Sequence, residues 1–409
     1  MNNNYENIKK TLEKFKKFKV IEDIPKYRQL EIEYLPKPQP YKYSYDNEEQ
    51  EKNLQQSLEK LFPGKNIEWK PCRTILGKEI VILPKKIDCS NFNQGSIGDC
   101  YLISCVSALS QIPQLLNFIM GLSSVECENK NGNIFCVNFF IDGKWQKVYI
   151  KDSFPVFVKN DKVELVGVKP KENEVFLMIL EKAWAQINGG YDRIEGGQSK
   201  NIFELFIGST GDFIDSKGCD ADKLYKAIKE NEKDFGTLSP CGAKYYKKTK
   251  ELKKQIDQKQ ISEKDYSRNE LINRGLLKQN GGHAYRIIQT KEFQKNNKGE
   301  TYKFIIISNP RGKGDLLESG IELNEIKKYF KPQSQYISDI NNNYEKTGII
   351  YMPIEYYLKW SKYTALCHPA YDCISYEYDI KNQLQFLYVF KIKLTEKQRI
   401  ACQTCFQSH

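Results

Sequence analysis

The sequence predicts an α+β fold, because helical and strand-like apolar patterns are both present along the chain. An uncharged apolar run opens at Cys100 behind a glycine-rich turn and reads as a buried helix. Residues 136–150 read as a β-hairpin, and Phe176–Ile187 has apolar residues at helical spacing. Residues 304–307 form a short apolar strand. With 409 residues, the chain is long enough for two or three units with sizeable cores.

Cys100 is the strongest indication of chemistry, because it follows the polar, glycine-containing turn 94–99 and opens a helix-compatible run. A helix N-terminus favours the thiolate form of a cysteine, and glycines let the backbone approach a substrate carbonyl. The chain has three histidines that could act as a base. His409 is the last residue and is expected to fray, and His368 lies in a turn-like setting before proline. His283 enters a β-type run and is the preferred candidate.

Asn309 completes a set of polar residues in the order Gln94, Cys100, His283, Asn309. It ends the strand-like run at a Pro-Arg-Gly turn. This order is that of papain-type cysteine proteases, in which imidazole takes the thiol proton and a carboxamide orients the imidazole. The four residues therefore predict nucleophilic acyl transfer.

Four sequence blocks resemble the protease core of calpains, and they occur in the family's order within residues 55–360. The blocks are residues 94–102, 143–156, 180–197, and 282–285 together with 309–312. The resemblance implies a papain-like two-lobe core, with a helical lobe that carries the catalytic helix and a mainly β lobe. It also implies an endopeptidase that hydrolyses protein substrates. Cys100 would be the nucleophile, His283 the base, Asn309 the orienting residue and Gln94 an oxyanion donor.

We expect four segments along the chain. Residues 1–53 are polar and predict a partly disordered arm. Residues 54–215 would form the first protease lobe, with the cysteine and the oxyanion hole. Residues 216–360 would form the second lobe, with the histidine and the asparagine. Residues 361–409 are expected to start a C-terminal β-sandwich-like domain, cut short at the end of this sequence.

The resemblance implies calcium as a regulator, with ligands in each lobe. In the first lobe Glu181 matches an acidic ligand, and Asn91 stands where the family has aspartate. In the second lobe Asp315 and Glu322 fall where the family places acids, but the turn 345–349 has threonine and isoleucine at ligand positions. Calcium requires about six to eight oxygen ligands. We therefore expect weakened or absent calcium binding, more so in the second lobe.

The formal net charge of +11 is spread along the chain, with lysine clusters in residues 9–19 and 244–264. The second cluster mixes signs and predicts a solvated helix within a charged surface insertion, residues 243–274. Such diffuse charge favours a solvated surface, so no nucleic-acid partner is expected and membrane-surface contact is not indicated. The expected partners are protein substrates, and a regulatory subunit is not identifiable from the sequence.

A cytoplasmic location is expected, because the sequence shows no N-terminal signal pattern and has twelve cysteines, which are typical of a reducing compartment. Residues 101–125 are uncharged, but Pro113 and several polar residues favour a buried helix over a membrane span. Cys402 and Cys405 have metal-site spacing, but no second pair completes a site, so a structural role is favoured.

Two alternatives to proteolysis remain. A catalytically silent calpain-like scaffold or regulator is suggested by the eroded calcium positions and by Arg311, which stands where the family has tryptophan. Other papain-like acyl transfer, such as transamidation, would need an amine acceptor site. Each site residue also has a purely structural interpretation: a turn residue for Gln94 and Asn309, a core thiol for Cys100, and a strand residue for His283. Their joint order favours catalysis.

Overall fold

The computed structural model describes residues 39–40, 48–77, 79–84, 87, 92–110, 113–121, 134–141, 144–160, 162–170, 172–208, 212–235, 239–260, 266, 268–295, 300–330 and 335–366. Several predictions fall outside these residues: most of the arm, Asn91, His368, His409, the Cys402–Cys405 pair and the start of a β-sandwich beyond residue 366.

Helices occur along the whole described part of the chain. They are α1 (Glu48–Leu61), α2 (Cys72–Leu76), α3 (Cys100–Leu109), α4 (Pro113–Ile119), α5 (Phe176–Ile187), α6 (Ser199–Ile207), α7 (Ala221–Phe235), α8 (Lys250–Asp257), α9 (Arg268–Asn273), α10 (Leu316–Ser319), α11 (Leu323–Lys327), α12 (Gln335–Asn342), α13 (Tyr344–Thr347) and α14 (Ile354–Trp360).

The strands alternate with these helices. They are β1 (Gln39–Pro40), β2 (Ile67–Lys70), β3 (Phe92–Asn93), β4 (Ile134–Ile141), β5 (Lys144–Lys151), β6 (Phe154–Lys159), β7 (Lys162–Leu165), β8 (Lys169–Pro170), β9 (Asp212–Asp215), β10 (Ser239–Lys248), β11 (Leu277–Gln294), β12 (Thr301–Ser308), β13 (Ile349–Pro353) and β14 (Ser361–Leu366). The mixture of helices and sheets agrees with the predicted α+β class.

The largest sheet has six antiparallel strands in the order β13-β12-β11-β10-β14-β9. The smaller sheets of the described residues are β1-β5-β4, β2-β6-β7 and β3-β8. Strands β9 and β14 pair with each other in the large sheet, although the sequence placed them in the first lobe and in the C-terminal segment. Ladder hydrogen bonds between distant strands carry no local sequence signal, which accounts for the difference.

The first core, as we name it, surrounds α3, which is buried from Tyr101 to Leu109. It packs against α5 and the hairpin β4–β5, whose bounds match the predicted hairpin. Helix α5 was predicted to bury one face, but ten of its twelve residues are buried. Among them, the Lys182 ammonium donates to the carbonyls of Lys151 at 3.1 Å and Ser153 at 2.7 Å. These bonds allow a charged side chain inside the core.

The second core is formed by the six-stranded sheet together with α7 and α14. Strand β12 contributes four consecutive buried residues, 304–307, which fits the short apolar strand of the sequence. Ala284 on β11 belongs to the first core, so α3 packs directly against the middle of β11. Arg286 extends this contact by donating to the Ser107 hydroxyl at 3.2 Å. Strand β11 thus contacts α3 both at its first residue, Cys100, and near its last turn, at Ser107.

Helix α8 carries mostly exposed side chains, as predicted for a solvated helix within residues 243–274, but apolar side chains of this segment also contribute to a small core. The members of this cluster are Tyr246, Leu252, Leu271, Leu277 and Leu317. Leu317 lies on α10, so the inserted segment is held against the chain that follows Asn309. Most residues of this segment are polar or charged, so its composition gave no indication that a few apolar residues would anchor it.

The uncharged stretch that begins at Tyr101 is broken into α3 and α4. Within the residues that the structure describes, no helix combines the length and the apolar character needed to cross a membrane. Pro113 is the first residue of α4, a position where the missing N–H of proline costs nothing.

Candidate active site

His283 lies in β11, opposite Ala243 of β10, and is buried. Its ring lies between two aromatic rings, with centroids 5.2 Å from Tyr245 and 4.8 Å from Tyr285. The strand fixes the backbone, and the flanking rings restrict the imidazole. The sequence predicted the strand but gave no sign of Tyr245, which lies on β10 at a register irregularity two residues beyond the partner of His283.

Asn309 follows the last residue of β12 and is also buried. Its Oδ1 lies 3.1 Å from His283 Nε2 and accepts the backbone N–H of Arg311 at 3.0 Å. Because Oδ1 only accepts, the imidazole must carry its proton on Nε2, which leaves Nδ1 as an acceptor. The Asn309 Nδ2 has a longer contact, 3.5 Å, with the Tyr344 hydroxyl.

Cys100 is the first residue of α3, as the sequence predicted. Its Sγ accepts the backbone N–H of Ala284 at 3.4 Å. Since Ala284 directly follows His283, the thiol lies beside the strand that carries the imidazole. Three of the four predicted catalytic residues, which are far apart in sequence, therefore lie on adjoining elements.

The thiol and the imidazole both favour their neutral forms. Burial raises the pKa of the Cys100 thiol to about 11, and the Asp99 charge adds to this, while the Ala284 N–H and Arg311 act in the opposite direction. Burial and the Arg311 charge lower the pKa of His283 to about 4, partly offset by the bond to Asn309. The expected stabilisation of the thiolate at the helix N-terminus is thus outweighed by desolvation.

Gln94 lies next to this group through its backbone, which donates to the Pro310 carbonyl at 3.2 Å. Its side-chain amide donates to the carbonyl of Ile97 at 2.8 Å. An amide nitrogen carries two hydrogens, so one remains for another acceptor. Gly95 also has a packing role: a Cβ here would lie 1.7 Å from the Gly167 carbonyl oxygen.

The turn before Cys100 is held by the segment that follows α5. Gly98 donates its N–H to the Glu195 carboxylate at 2.6 Å and accepts the N–H of Gly196 at 2.9 Å. Glu195 therefore places a negative charge at Gly98, two residues before Cys100 in the sequence. The sequence block 180–197 contained Glu195, but its contact with Gly98 depends on the folding of the chain back over the turn.

Arg311 lies on the other side of the site. Its guanidinium lies over the Tyr245 ring, with Cζ 5.1 Å from the centroid, and Nη1 is 3.5 Å from Glu318 Oε2. Tyr245 donates its hydroxyl to the same carboxylate. These side chains and Asn309 line a cavity of about 390 Å³. The Tyr245 ring separates Arg311 from His283, so the guanidinium acts on the imidazole through its charge.

Glu181, the predicted calcium ligand of the first lobe, is buried beside Asp99. Both of its oxygens accept the Val168 N–H, at 3.0 and 3.1 Å. Burial raises the pKa of Asp99 to about 7, and burial together with the Asp99 charge raises that of Glu181 well above its usual range. The two carboxyl groups hydrogen-bond when one holds a proton. A metal ion could also bind this pair of acids, but Asn91 lies outside the described residues.

Asp315 and Glu322, the predicted ligands of the second lobe, each form an ion pair with a basic residue of the protein. The partner of Asp315 is Lys248, and that of Glu322 is Arg268. Across the described residues, no three or more histidine, cysteine, aspartate or glutamate side chains form a group suited to a metal ion. The second-lobe positions do not fit a calcium site.

The family model described as calpain family cysteine protease matches residues 47–368. The human calpain-1 catalytic subunit is 27% identical over 244 residues, which are 59% of this chain and 30% of that protein. Mouse calpain-8 is 27% identical over 293 residues, 70% of this chain and 37% of that protein. The human calpain-2 catalytic subunit is 30% identical over 220 residues, 54% and 27% respectively. The chain thus matches about a third of the length of these relatives.

Proposed function

Because the chain belongs to the calpain family of cysteine proteases, we propose that it is an endopeptidase that hydrolyses protein substrates. The observation that carries the proposal is the hydrogen bond of 3.1 Å between His283 Nε2 and Asn309 Oδ1. The residue after His283, Ala284, donates its backbone N–H to the Cys100 thiol. A histidine held in one tautomer, on the strand whose backbone contacts the thiol, supports the assignment of a thiol nucleophile and its base.

In the proposed mechanism, His283 Nδ1 accepts the Cys100 proton as the sulfur attacks the scissile carbonyl carbon. The imidazolium then gives this proton to the leaving amine, and a thioester remains. Water, deprotonated by the same nitrogen, hydrolyses the thioester and regenerates the thiol. Asn309 keeps the ring oriented throughout. The pKa directions of the thiol and imidazole imply that the proton moves when substrate binds, rather than before.

The oxyanion of the tetrahedral intermediate would be stabilised by the Cys100 N–H and the second amide hydrogen of Gln94. The bond from Gln94 to Ile97 supports this role, because it fixes the amide while leaving one donor. One such donor typically contributes about 10²–10³ in rate.

Calcium is proposed as a regulator at the first lobe only. Glu181 would contribute carboxylate oxygens there, and the neighbouring Asp99 adds negative charge that a cation would neutralise. A cytoplasmic location is proposed from the free thiols of the described cysteines. Protein substrates are the proposed partners, and no regulatory subunit is assigned.

Hydrolysis of a fluorescently labelled unfolded protein by the full chain tests the proposal, in calcium and in excess chelator. Cys100→Ala is expected to abolish hydrolysis. Cys105→Ala is the matched control, because this thiol lies on the same helix but is buried and contacts the Ser199 carbonyl at 3.5 Å. Hydrolysis that survives Cys100→Ala would refute the nucleophile.

A catalytically silent scaffold remains the second candidate, favoured by the neutral forms that burial imposes on the thiol and imidazole. Alkylation of Cys100 separates the two. In a protease, Cys100 should react faster with a peptide-like alkylating agent than with iodoacetamide, because binding positions the reactive carbon near the thiol. In a silent protein, the peptide-like agent should give no such increase in rate.

A further inference from the structure

The chain after Asn309 contains two acids that the calpain resemblance associates with calcium, and both are occupied by cations of the protein. Asp315 Oδ2 lies 2.7 Å from Lys248 Nζ, and its Oδ1 accepts the N–H of Glu318 at 2.8 Å. The carboxylate thus caps α10 and pairs with an ammonium at once. Lys248 is only 11% exposed, so the pair is partly shielded from solvent.

Glu322 is paired in the same way, through Arg268. The Arg268 Nη2 lies 2.8 Å from Glu322 Oε1, while Nη1 donates to the carbonyl of Gly320 at 2.5 Å. The guanidinium also lies over the Tyr246 ring, 5.3 Å from the centroid. Arg268 therefore binds a carboxylate and a backbone carbonyl of one loop, which are the two types of oxygen ligand that calcium uses.

Two oxygens of the turn 345–349 also take part in hydrogen bonds within the protein. The Glu345 carbonyl accepts the N–H of Gly314 at 3.3 Å. The Thr347 hydroxyl donates to the Asn343 carbonyl at 3.1 Å and accepts the N–H of Ile349 at 3.2 Å. A calcium ion needs about six to eight oxygens and would have to displace an ammonium, a guanidinium and these bonds.

Both cations come from residues 243–274, the charged segment that the sequence presented as a surface insertion. Lys248 ends β10 and Arg268 begins α9. The small core that includes Leu252, Leu271 and Leu317 fixes this segment against α10. This packing holds one ammonium and one guanidinium in fixed positions, one for each of the two carboxylates.

We infer that Lys248 and Arg268 replace calcium as the cations that hold residues 309–322. The loop that begins with Asn309 is then set by the protein itself at any calcium concentration, and any calcium effect on this chain arises elsewhere, in the first core. This inference goes beyond the proposed function, and its test needs no catalytic activity.

Hydrogen–deuterium exchange on the full-length chain tests it, read on peptides that cover residues 309–322 in calcium and in chelator. One variant removes both charges, Lys248→Met with Arg268→Met. The matched control removes one lysine and one arginine of the same segment that have exposed side chains, Lys253→Met with Arg274→Met. A rescue variant, Lys248→Arg with Arg268→Lys, keeps both charges.

In the unmodified protein we expect exchange over residues 309–322 to be the same in calcium and chelator, within about twofold. The double methionine variant should exchange at least about tenfold faster there, and the control and rescue variants should stay near the unmodified protein. Calcium-dependent protection of these residues in the unmodified protein would overturn the inference, even if the methionine variant did not fold. Exchange in the methionine variant equal to that in the control would also overturn it.

Discussion

Asn309→Ala should reduce catalysis more than it reduces folding, because Asn309 Oδ1 accepts hydrogen bonds from both His283 Nε2 and the Arg311 N–H. The bond to His283 gains charge when the imidazole is protonated, and a bond of this kind contributes about 1.5–3 kcal/mol. At about 1.4 kcal/mol per tenfold, its loss predicts a decrease in kcat/KM of roughly 10- to 150-fold. The Arg311 N–H also loses its acceptor, so stability should fall by about 1–3 kcal/mol.

Tyr344→Phe is the matched control for this prediction. Its hydroxyl lies 3.5 Å from Asn309 Nδ2, longer than an effective hydrogen bond, so kcat/KM should change by less than about threefold. The assay is steady-state hydrolysis of a fluorogenic peptide, at a temperature where thermal melts show both variants folded. The reasoning fails if the alanine variant stays within threefold of the unmodified protein, or if both variants lose activity to the same extent.

Three further predictions concern charged groups near the site. Arg311→Leu removes a charge that lowers the pKa of Cys100, so the thiol should alkylate more slowly at neutral pH and its pH midpoint should move upward. Burial raises the pKa of Asp99 from 3.8 to about 7, so between these pH values the folded protein holds a proton that the unfolded chain releases. Stability should therefore fall as pH rises between these values. Asp99→Asn should reduce this dependence of the melting temperature on pH. Lys182→Met leaves two partly buried carbonyls without this donor and should lower stability by about 1–3 kcal/mol in urea unfolding.

Each of these has an outcome that contradicts it. If Arg311→Leu leaves the alkylation rate of Cys100 unchanged, solvent screens the Arg311 charge, since 41% of this side chain is exposed. If the melting temperature depends on pH in the same way with and without Asp99, the buried carboxyl pair does not titrate in this pH range. Unaltered stability after Lys182→Met would mean that water replaces the ammonium at both carbonyls.

The inserted segment 243–274 changes how the eroded calcium positions of this chain are understood. Loss of carboxylates suggested from sequence only that a site had weakened. The pairing of the two remaining acids with Lys248 and Arg268 suggests instead that a different cation performs the same structural task. A covalently attached cation has no dissociation equilibrium, so this part of the molecule would lose a switch and gain permanent order.

Local pattern was sufficient for the helix that carries the candidate nucleophile and for two of the elements around it. The start of α3 at Cys100, the hairpin β4–β5 and the buried strand β12 follow from apolar periodicity and from turn residues, which act over a few positions. The burial of α5 on almost all sides was not predictable, because a helix that reads as amphipathic can still be enclosed when Glu181 and Lys182 find partners from distant segments.

The sequence by itself determined the set of candidate catalytic residues, since Gln94, Cys100, His283 and Asn309 stand in the order of papain-type cysteine proteases. Only the tertiary structure decided the electrostatic state of Cys100 and His283, with a neutral thiol and a low imidazole pKa, and the ion pairing of Asp315 and Glu322. These properties depend on desolvation and on charges that approach through space from segments far apart in the chain. Neither quantity is encoded in the spacing of residues along the sequence.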